Sequence, residues 1–520
     1  MIRFVRDTPA RGLARGIVAA GTVLLGGGLS ALSSPGAVAA QDATPRPLTL
    51  EDYGDWNRIT QVQLSPDGRW LAYTHQPNDG DETLFVKSLE GGGAVYDATK
   101  GAGPEFSKDG RWVAFLVSPP EEDAERLEEA SESVPSALHL IDLTSGERIE
   151  EPSVRAFRFS EGGGHIAIHR RASDDDAEHE GSDLLLRNLT AGTVLSLGNV
   201  SQYAFDEAGR HFAYLVDADQ MAGNGLYLIT LEQGAIQPLH TSSARYEDME
   251  WTEAGDAVLA LAGSEVEGKK HRENRLVVAS GIGATVATEV HDLAGRSGFP
   301  EGFVLSELAD TRWSEDGTRV LLGIKAQEDE LDEDDEERAN VDIWHWADER
   351  LQSTQMVQAD ADGRYTYTSV LNLSDGTFHR LADDAMRRVE VTDDGRWGIG
   401  RRDFAYRGDV TEAGGRADLV RIDLETGAAD DIATAIRRPL GASPDGAYFV
   451  YLEGEQVYAV ELATLERSNL SEGSGVDFVN REFDRINEAP AYGVGGWTET
   501  GEILLYDRWD VWSVSLEDGA

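Results

Sequence analysis

The 520 residues contain no cysteine. A chain without thiols has no disulfide, no thiolate-ligated metal centre and no cysteine for a lipid anchor, so its core alone must hold it together. Lysine is nearly missing too, with six residues against forty arginines and 95 Asp plus Glu, for a formal net charge of -49. Such a surface repels nucleic acid and anionic lipid, and neither is expected as a partner. Strong acidity with scarce lysine also suits a salt-rich solvent, where screening weakens self-repulsion. Long apolar runs are confined to the first forty residues.

That terminal stretch has the order of a secretory leader. MIRFVRDTPARGLAR carries four arginines against one aspartate, GIVAAGTVLLGGGLSAL is apolar for seventeen residues, and SSPGAVAA supplies small residues before Gln41. A membrane-spanning helix needs ~20 apolar residues. Residues 1–40 are therefore read as a leader cleaved after Ala40, which sends the chain to the periplasm or out of the cell without stable membrane insertion.

Several catalytic and cofactor patterns are also missing. No G-x-S-x-G stretch occurs, although a nucleophile on a sharp strand-to-helix turn needs small neighbours. The nearest approach, Gly441-Ala442-Ser443-Pro444-Asp445, has Asp at the second glycine position and makes Ser443 a turn residue. GGGAV and GGGHI lie in β-turns rather than before helices, so no phosphate loop is expected. His165 and His169 are four apart, but GGHIAIHR reads as a strand, where the pair shares only a face. No catalytic residue, cofactor or metal ligand is assigned.

What is present is a repeated decapeptide. LSPDGRWLAY at 64 to 73 returns as FSKDGRWVAF, FSEGGGHIAI, FDEAGRHFAY, WTEAGDAVLA, WSEDGTRVLL, VTDDGRWGIG, ASPDGAYFVY and WTETGEILLY, nine copies in all. The fifth position is always glycine, from Gly68 through Gly501. Ser65-Pro66-Asp67-Gly68 matches a type I turn in which glycine tolerates a positive φ, and the apolar run behind it reads as a buried strand. A second hairpin follows most copies, as in LHLIDLTSGE at 138 to 147 and LVRIDLETGA at 419 to 428, while the copy near 274 to 290 is degenerate. Two hairpins per repeat make a four-stranded antiparallel unit. The expected fold is all-β, a β-propeller of seven to nine such blades over residues 61–520, behind an N-terminal cap segment at 41–60. LTLEDYGDW in that cap segment reads as a helix start with Thr49 as cap.

Three acidic inserts interrupt the pattern: EEDAERLEEASE (121 to 132), DDDAEHEGSD (174 to 183) and EDELDEDDEER (328 to 338). The first is expected to form a short exposed helix. None has the spacing of a twelve-residue calcium loop. In VDIWHW, strand alternation would set Asp342, Trp344 and Trp346 on one face, either between blades or lining a substrate channel.

LTLEDYGDWNRITQVQLSPDGRWLAY, VDIWHWADERLQSTQ at 341 to 355, TDDGRWGIGRRD and YDRWDVWSVSLEDG resemble the N-terminal propeller of secreted bacterial S9 serine peptidases, the prolyl oligopeptidase and acylaminoacyl-peptidase superfamily. The resemblance runs from 48 to 520 and is most specific at DIWHW followed by LQ. It implies a propeller that gates peptide substrates for a C-terminal α/β-hydrolase domain carrying the Ser, Asp and His. DVWSVSLEDGA stops within the second-hairpin turn of the ninth repeat, so the expectation is a last blade left incomplete ahead of that domain. A free-standing TolB-like exported propeller that binds proteins or peptides is the alternative.

Overall fold

The computed structural model describes residues 2–4, 48–54, 56–91, 93–129, 134–172, 178–330, 344–345, 348–408, 415–485 and 488–516. Within them the chain is a series of antiparallel meanders. Each decapeptide turn joins the first strand of a unit to its second, as between Asn57–Leu64 and Trp70–Pro77, and the second hairpin adds Thr83–Ser88 and Val95–Thr99. Nine such units follow one another, a β-propeller architecture, and none stands outside the series. The first strand begins at Asn57, four residues ahead of the boundary read from the sequence.

The turns form for the reason their composition gives. Gly68 donates its N–H to the Ser65 carbonyl at 2.8 Å, and the Ser65 hydroxyl donates to Asp67 at 2.6 Å while accepting the Trp70 N–H at 2.9 Å. All nine turn glycines are left-handed, with φ between 63° and 80°. Ser443 is such a turn residue, donating to Asp445 and accepting from the Tyr448 N–H.

Strand alternation then decides the packing. In unit 2, Val113, Phe115 and Ile141 face unit 1, whereas Trp112, Ala114, Leu138 and Leu140 face unit 3. Eight core clusters of this kind join units 1 to 9 in sequence. Among the described residues no cluster joins unit 9 back to unit 1, whose first strand leaves Ile59 and Val62 each 62% exposed.

Between units the outer strand runs on into the next inner one. Arg148–Phe159 and Val194–Phe205 each serve two units, bending at the left-handed residues Ser153 and Asn199, so units 2 to 4 share one ten-stranded sheet.

Unit 9 departs from the pattern twice. Its turn closes from Thr498 N–H to the Glu502 carbonyl, one residue tighter than Ser65 to Trp70. The slip turns Ile503 and Leu505 toward unit 8 and leaves Tyr506 40% exposed, because a one-residue change of register exchanges the faces of a strand. Its fourth strand is Ile2–Phe4, paired antiparallel with Phe4 opposite Trp512 and Ile2 opposite Val514. The edge expected to be bare is thus paired, by residues from the stretch read as a leader. At the other end of the cap segment, the expected helix start is a single 3-10 turn, Leu50–Tyr53, with the Thr49 N–H donating to Asp52 at 2.7 Å.

Candidate functional site

All three acidic inserts fall between the second and third strands of their units. Residues 118–135 of unit 2 include the helix Glu121–Glu129, residues 171–181 belong to unit 3, and residues 327–366 of unit 6 include the helix Gln352–Arg364. In a meander those connections emerge at one end of every sheet, opposite the decapeptide turns. Among the described residues, one face of the array therefore carries the long connections and the other tight turns.

The unit 6 insert is the largest. Trp344 lies in it, outside any strand and 65% exposed, so the strand expected for VDIWHW does not extend through Trp344 and His345, and Trp344 is not packed between blades. Asp342 and Trp346 lie outside the described residues. Leu351, Met356 and Val357 of the same insert are also exposed, as is Phe404 in the corresponding connection of unit 7. The two connections touch: Arg407 Nη1 lies 3.4 Å from Glu349 and the guanidinium stacks over Phe404. At its base the insert is tied to unit 5 by Lys269 with Asp329 and Lys270 with Glu328, at 2.5 and 2.8 Å. With Lys325, which donates to the Tyr365 carbonyl, three of the six lysines gather here.

Next to this face, the first strand of unit 5 and the segment 303–313 of unit 6 bring together Glu247, Asp248, Glu250, Glu307 and Asp310. Arg272 reaches Glu247 at 2.6 Å and Glu307 at 3.7 Å. Glu250 accepts the Trp313 N–H at 2.9 Å, and Thr311 donates to Asp248 at 3.3 Å. Burial pushes the Glu247 carboxyl up to about 7 and Asp248 up to about 6, with neighbouring carboxylates adding to both. Sequence reading missed this cluster. The signal was there: Asp248 stands seven residues before its turn glycine, where units 1 and 4 carry Gln61 and Gln202.

His165 and His169 both have structural places. His169 is buried in a strand, its Nε2 2.9 Å from both the Val200 carbonyl and Ser182 Oγ, and burial lowers its pKa to about 4. The Ser182 hydroxyl donates to the Arg170 carbonyl at 2.7 Å, so its proton is committed to the backbone rather than to a base. His165 meets Asn188 instead. An acyl-transfer triad needs serine, histidine and carboxylate in series. Among the described residues the hydrogen bonds make no such series, and no group of three or more His, Asp or Glu is placed to hold a metal. Three cavities, about 350 Å³ at seam 5–6, 650 Å³ at seam 1–2 and 610 Å³ across units 3 to 5, open between neighbouring turns on the other face.

Comparison with known proteins gives no family: no family model matches the chain, and no curated protein does. Solved structures that resemble it include a prolyl endopeptidase (12% identity over 79% of this chain and 55% of that one, TM-score 0.31). Others are the β-propeller domain of the trilobed protease from Pyrococcus furiosus (11% identity, 74% and 97%, TM-score 0.29) and TolB from Acinetobacter baumannii (11% identity, 69% and 79%, TM-score 0.24). The chain thus spans about half of the prolyl endopeptidase. At these values the likeness adds nothing to the sheet architecture described above. Among the described residues no helix is long and apolar enough to cross a membrane.

Proposed function

We propose that this chain is the substrate-gating β-propeller of an exported S9-type serine peptidase, in which peptide bonds are cleaved by an α/β-hydrolase catalytic domain outside the described residues. The observation that carries this reading is the asymmetry of the array. Among the described residues, two helices and the exposed apolar side chains Trp344, Met356, Val357 and Phe404 belong to connections at one face, whereas the opposite face has tight turns. A face so furnished suits contact with a second body, and the described residues contain no nucleophile–base series of their own. The sequence resemblance at DIWHW and LQ supports the same reading.

Hydrolysis would then be acyl transfer, with the seryl nucleophile, its histidine base and the oxyanion hole all supplied by the catalytic domain. The propeller would contribute selection, admitting short peptides to a space between the domains and excluding folded proteins. Export would follow from residues 1–40, and their removal would also take away the strand Ile2–Phe4 and reopen the Val511–Val514 edge for another partner.

The test is a serine-directed fluorophosphonate applied to the native source, followed by capture with an antibody to residues 57–514. A labelled polypeptide that contains these residues, with the label outside them, is the expected result. An unlabelled chain that co-purifies with a protein or peptide partner would replace this reading with that of a free-standing TolB-like binding module.

A further inference from the structure

The first strands of adjacent units are stitched together by side chains that reach the backbone of the next unit. In unit 1 the stitch is Gln61, whose Oε1 accepts the Gly103 N–H at 3.0 Å. In unit 4 it is Gln202, which accepts the Met249 N–H at 3.1 Å. Both stand seven residues before the turn glycine, and both are neutral amides at every pH. Unit 5 has Asp248 at that place. Its backbone is left-handed with φ 55°, like that of Gln61 with φ 50°, so the local geometry is retained while the chemistry changes from amide to carboxylic acid.

The surroundings of Asp248 are unlike those of the two glutamines. Its own strand adds Glu247, Glu250 and Arg245, the last of which donates to the Glu178 carbonyl. Across the seam stand Glu307, Asp310, Thr311 and Arg312 of unit 6, and beside them Arg272 and Asn274, whose amide donates to Glu307 at 2.8 Å. Glu180 faces Glu247 from the unit 3 insert, and His271 faces Glu307 with Lys325, Glu328 and Lys270 around it. Five carboxylates at the seam meet two guanidinium groups, Arg272 and Arg312. Here the inner strand is also broken, into Phe303–Leu305 and Arg312–Trp313, with Glu307 and Asp310 in the gap.

We propose that the seam between units 5 and 6 is a proton-controlled latch: protons bound by Asp248 and Glu247 close it, and their loss sets like charges against one another and loosens it. With Asp248 and Glu247 protonated, neither sets a charge against Glu250, Glu307 and Asp310, while Asp248 still accepts the Thr311 hydroxyl across the seam as Gln61 and Gln202 accept their backbone N–H groups. Ionised, the carboxylates have too few cations within reach, and beyond the Ser306 N–H bond to the Gly323 carbonyl the gap at 307–311 has no ladder to resist their separation. Both groups have raised pKa values, about 7 and about 6, so the change falls between mildly acidic and mildly alkaline conditions. Looser packing here would move the base of the unit 6 insert, which Lys269 and Lys270 pin to unit 5.

The experiment is amide hydrogen exchange of the whole chain at pH 5.5 and pH 8, with each rate divided by the intrinsic rate at that pH. Protection of residues 303–313 is expected to fall by about tenfold or more on going to pH 8, the factor that one unit of differential proton affinity gives. Protection of residues 101–106, at the amide-stitched seam, should stay constant. In the Glu247→Gln, Asp248→Asn double variant, 303–313 should keep its protection at both pH values. Equal protection of 303–313 at both pH values in the unaltered chain would overturn the proposal, and that comparison stands even if the variant does not fold. The same pH-dependent loss in a folded double variant would overturn it equally.

Discussion

Asp206 accepts the backbone N–H of His211 at 2.6 Å through Oδ1 and faces that residue's ring Nδ1 at 3.5 Å through Oδ2. The carboxylate is fully buried and the imidazole 6% exposed. At the same turn position the other eight units carry serine or threonine, from Ser65 to Thr498, and a hydroxyl makes the same backbone bond without a charge. Asp206→Ser is therefore expected to leave stability unchanged or raise it by up to about 1 kcal/mol, and Asp206→Ala to lower it by about 1–3 kcal/mol by orphaning the backbone N–H groups of Arg210 and His211. Denaturant midpoints of the two variants decide this. Equal losses would mean that the carboxylate–imidazole contact itself stabilises the fold.

Gly110 separates two roles that the repeated glycine plays. Its φ of 70° strains any other residue, and a Cβ there would stand 2.9 Å from the Asp67 carboxyl carbon of the preceding turn. Gly234 has φ 64° but open space around it. Gly234→Ala should cost about 1–2 kcal/mol, the backbone term alone, and Gly110→Ala measurably more. If thermal or denaturant unfolding gives equal losses, the turns of successive units are not packed against each other tightly enough to matter.

The turn glycine was the most legible feature because a left-handed backbone favours glycine over any residue with a Cβ, and a glycine that returns nine times stands out within a single sequence. Strand alternation was legible for the same reason, as with Val113 and Phe115 on one face and Trp112 and Ala114 on the other. Two features were not. WTETGEILLY aligns on Gly501 with the other copies, yet its turn is one residue tighter, and no composition rule distinguishes Leu504 from Leu505 as the inward residue. VDIWHW reads as a strand by alternation, but it sits in a long connection where no neighbouring ladder is available, so Trp344 and His345 lie outside regular structure. The Asp248 cluster was hidden differently: it is assembled from units some sixty residues apart, and a carboxylate run at 247 to 250 looks like a solvated surface until Glu307 and Asp310 are placed beside it.

His169 gives a prediction about acid stability. Burial holds its imidazole neutral, with a pKa of about 4 against 6.5 for the free side chain. Below pH 6.5 the unfolded chain therefore takes up a proton that the folded chain refuses, and stability is lost progressively as the pH falls from 6.5 toward 4. His169→Gln can keep a donor for the Val200 carbonyl and cannot titrate. Unfolding midpoints at several pH values between 7 and 4 should show a shallower acid slope in that variant. Parallel slopes would place the acid sensitivity elsewhere.

The helix Gln352–Arg364 buries none of its own residues, and a helix of that length is marginal when isolated in water. Its ties are electrostatic. Asp362 accepts Arg350 at 2.6 Å and Arg387 at 2.8 Å, and the Arg387 guanidinium lies 4.2 Å from the Tyr365 ring centre. Arg387 belongs to the sheet side of unit 7, so it alone of the two arginines couples the helix to another unit. Arg387→Ala should speed proteolysis between residues 350 and 366 several-fold while the global unfolding midpoint stays put, since no core side chain is touched. The hydrogen bond from Arg350, with that from Arg387, holds the Asp362 carboxyl below its ordinary range, so the clamp is present above pH 3.8 and fails as the pH falls through the lowered value. Acid should then reproduce in the unaltered chain the cleavage seen in the variant. If Arg387→Ala leaves the cleavage rate unchanged, Arg350 and the Lys325 bond to the Tyr365 carbonyl are enough to hold the insert, and its exposed apolar side chains are presented by a rigid element rather than by one that a single cation keeps in place.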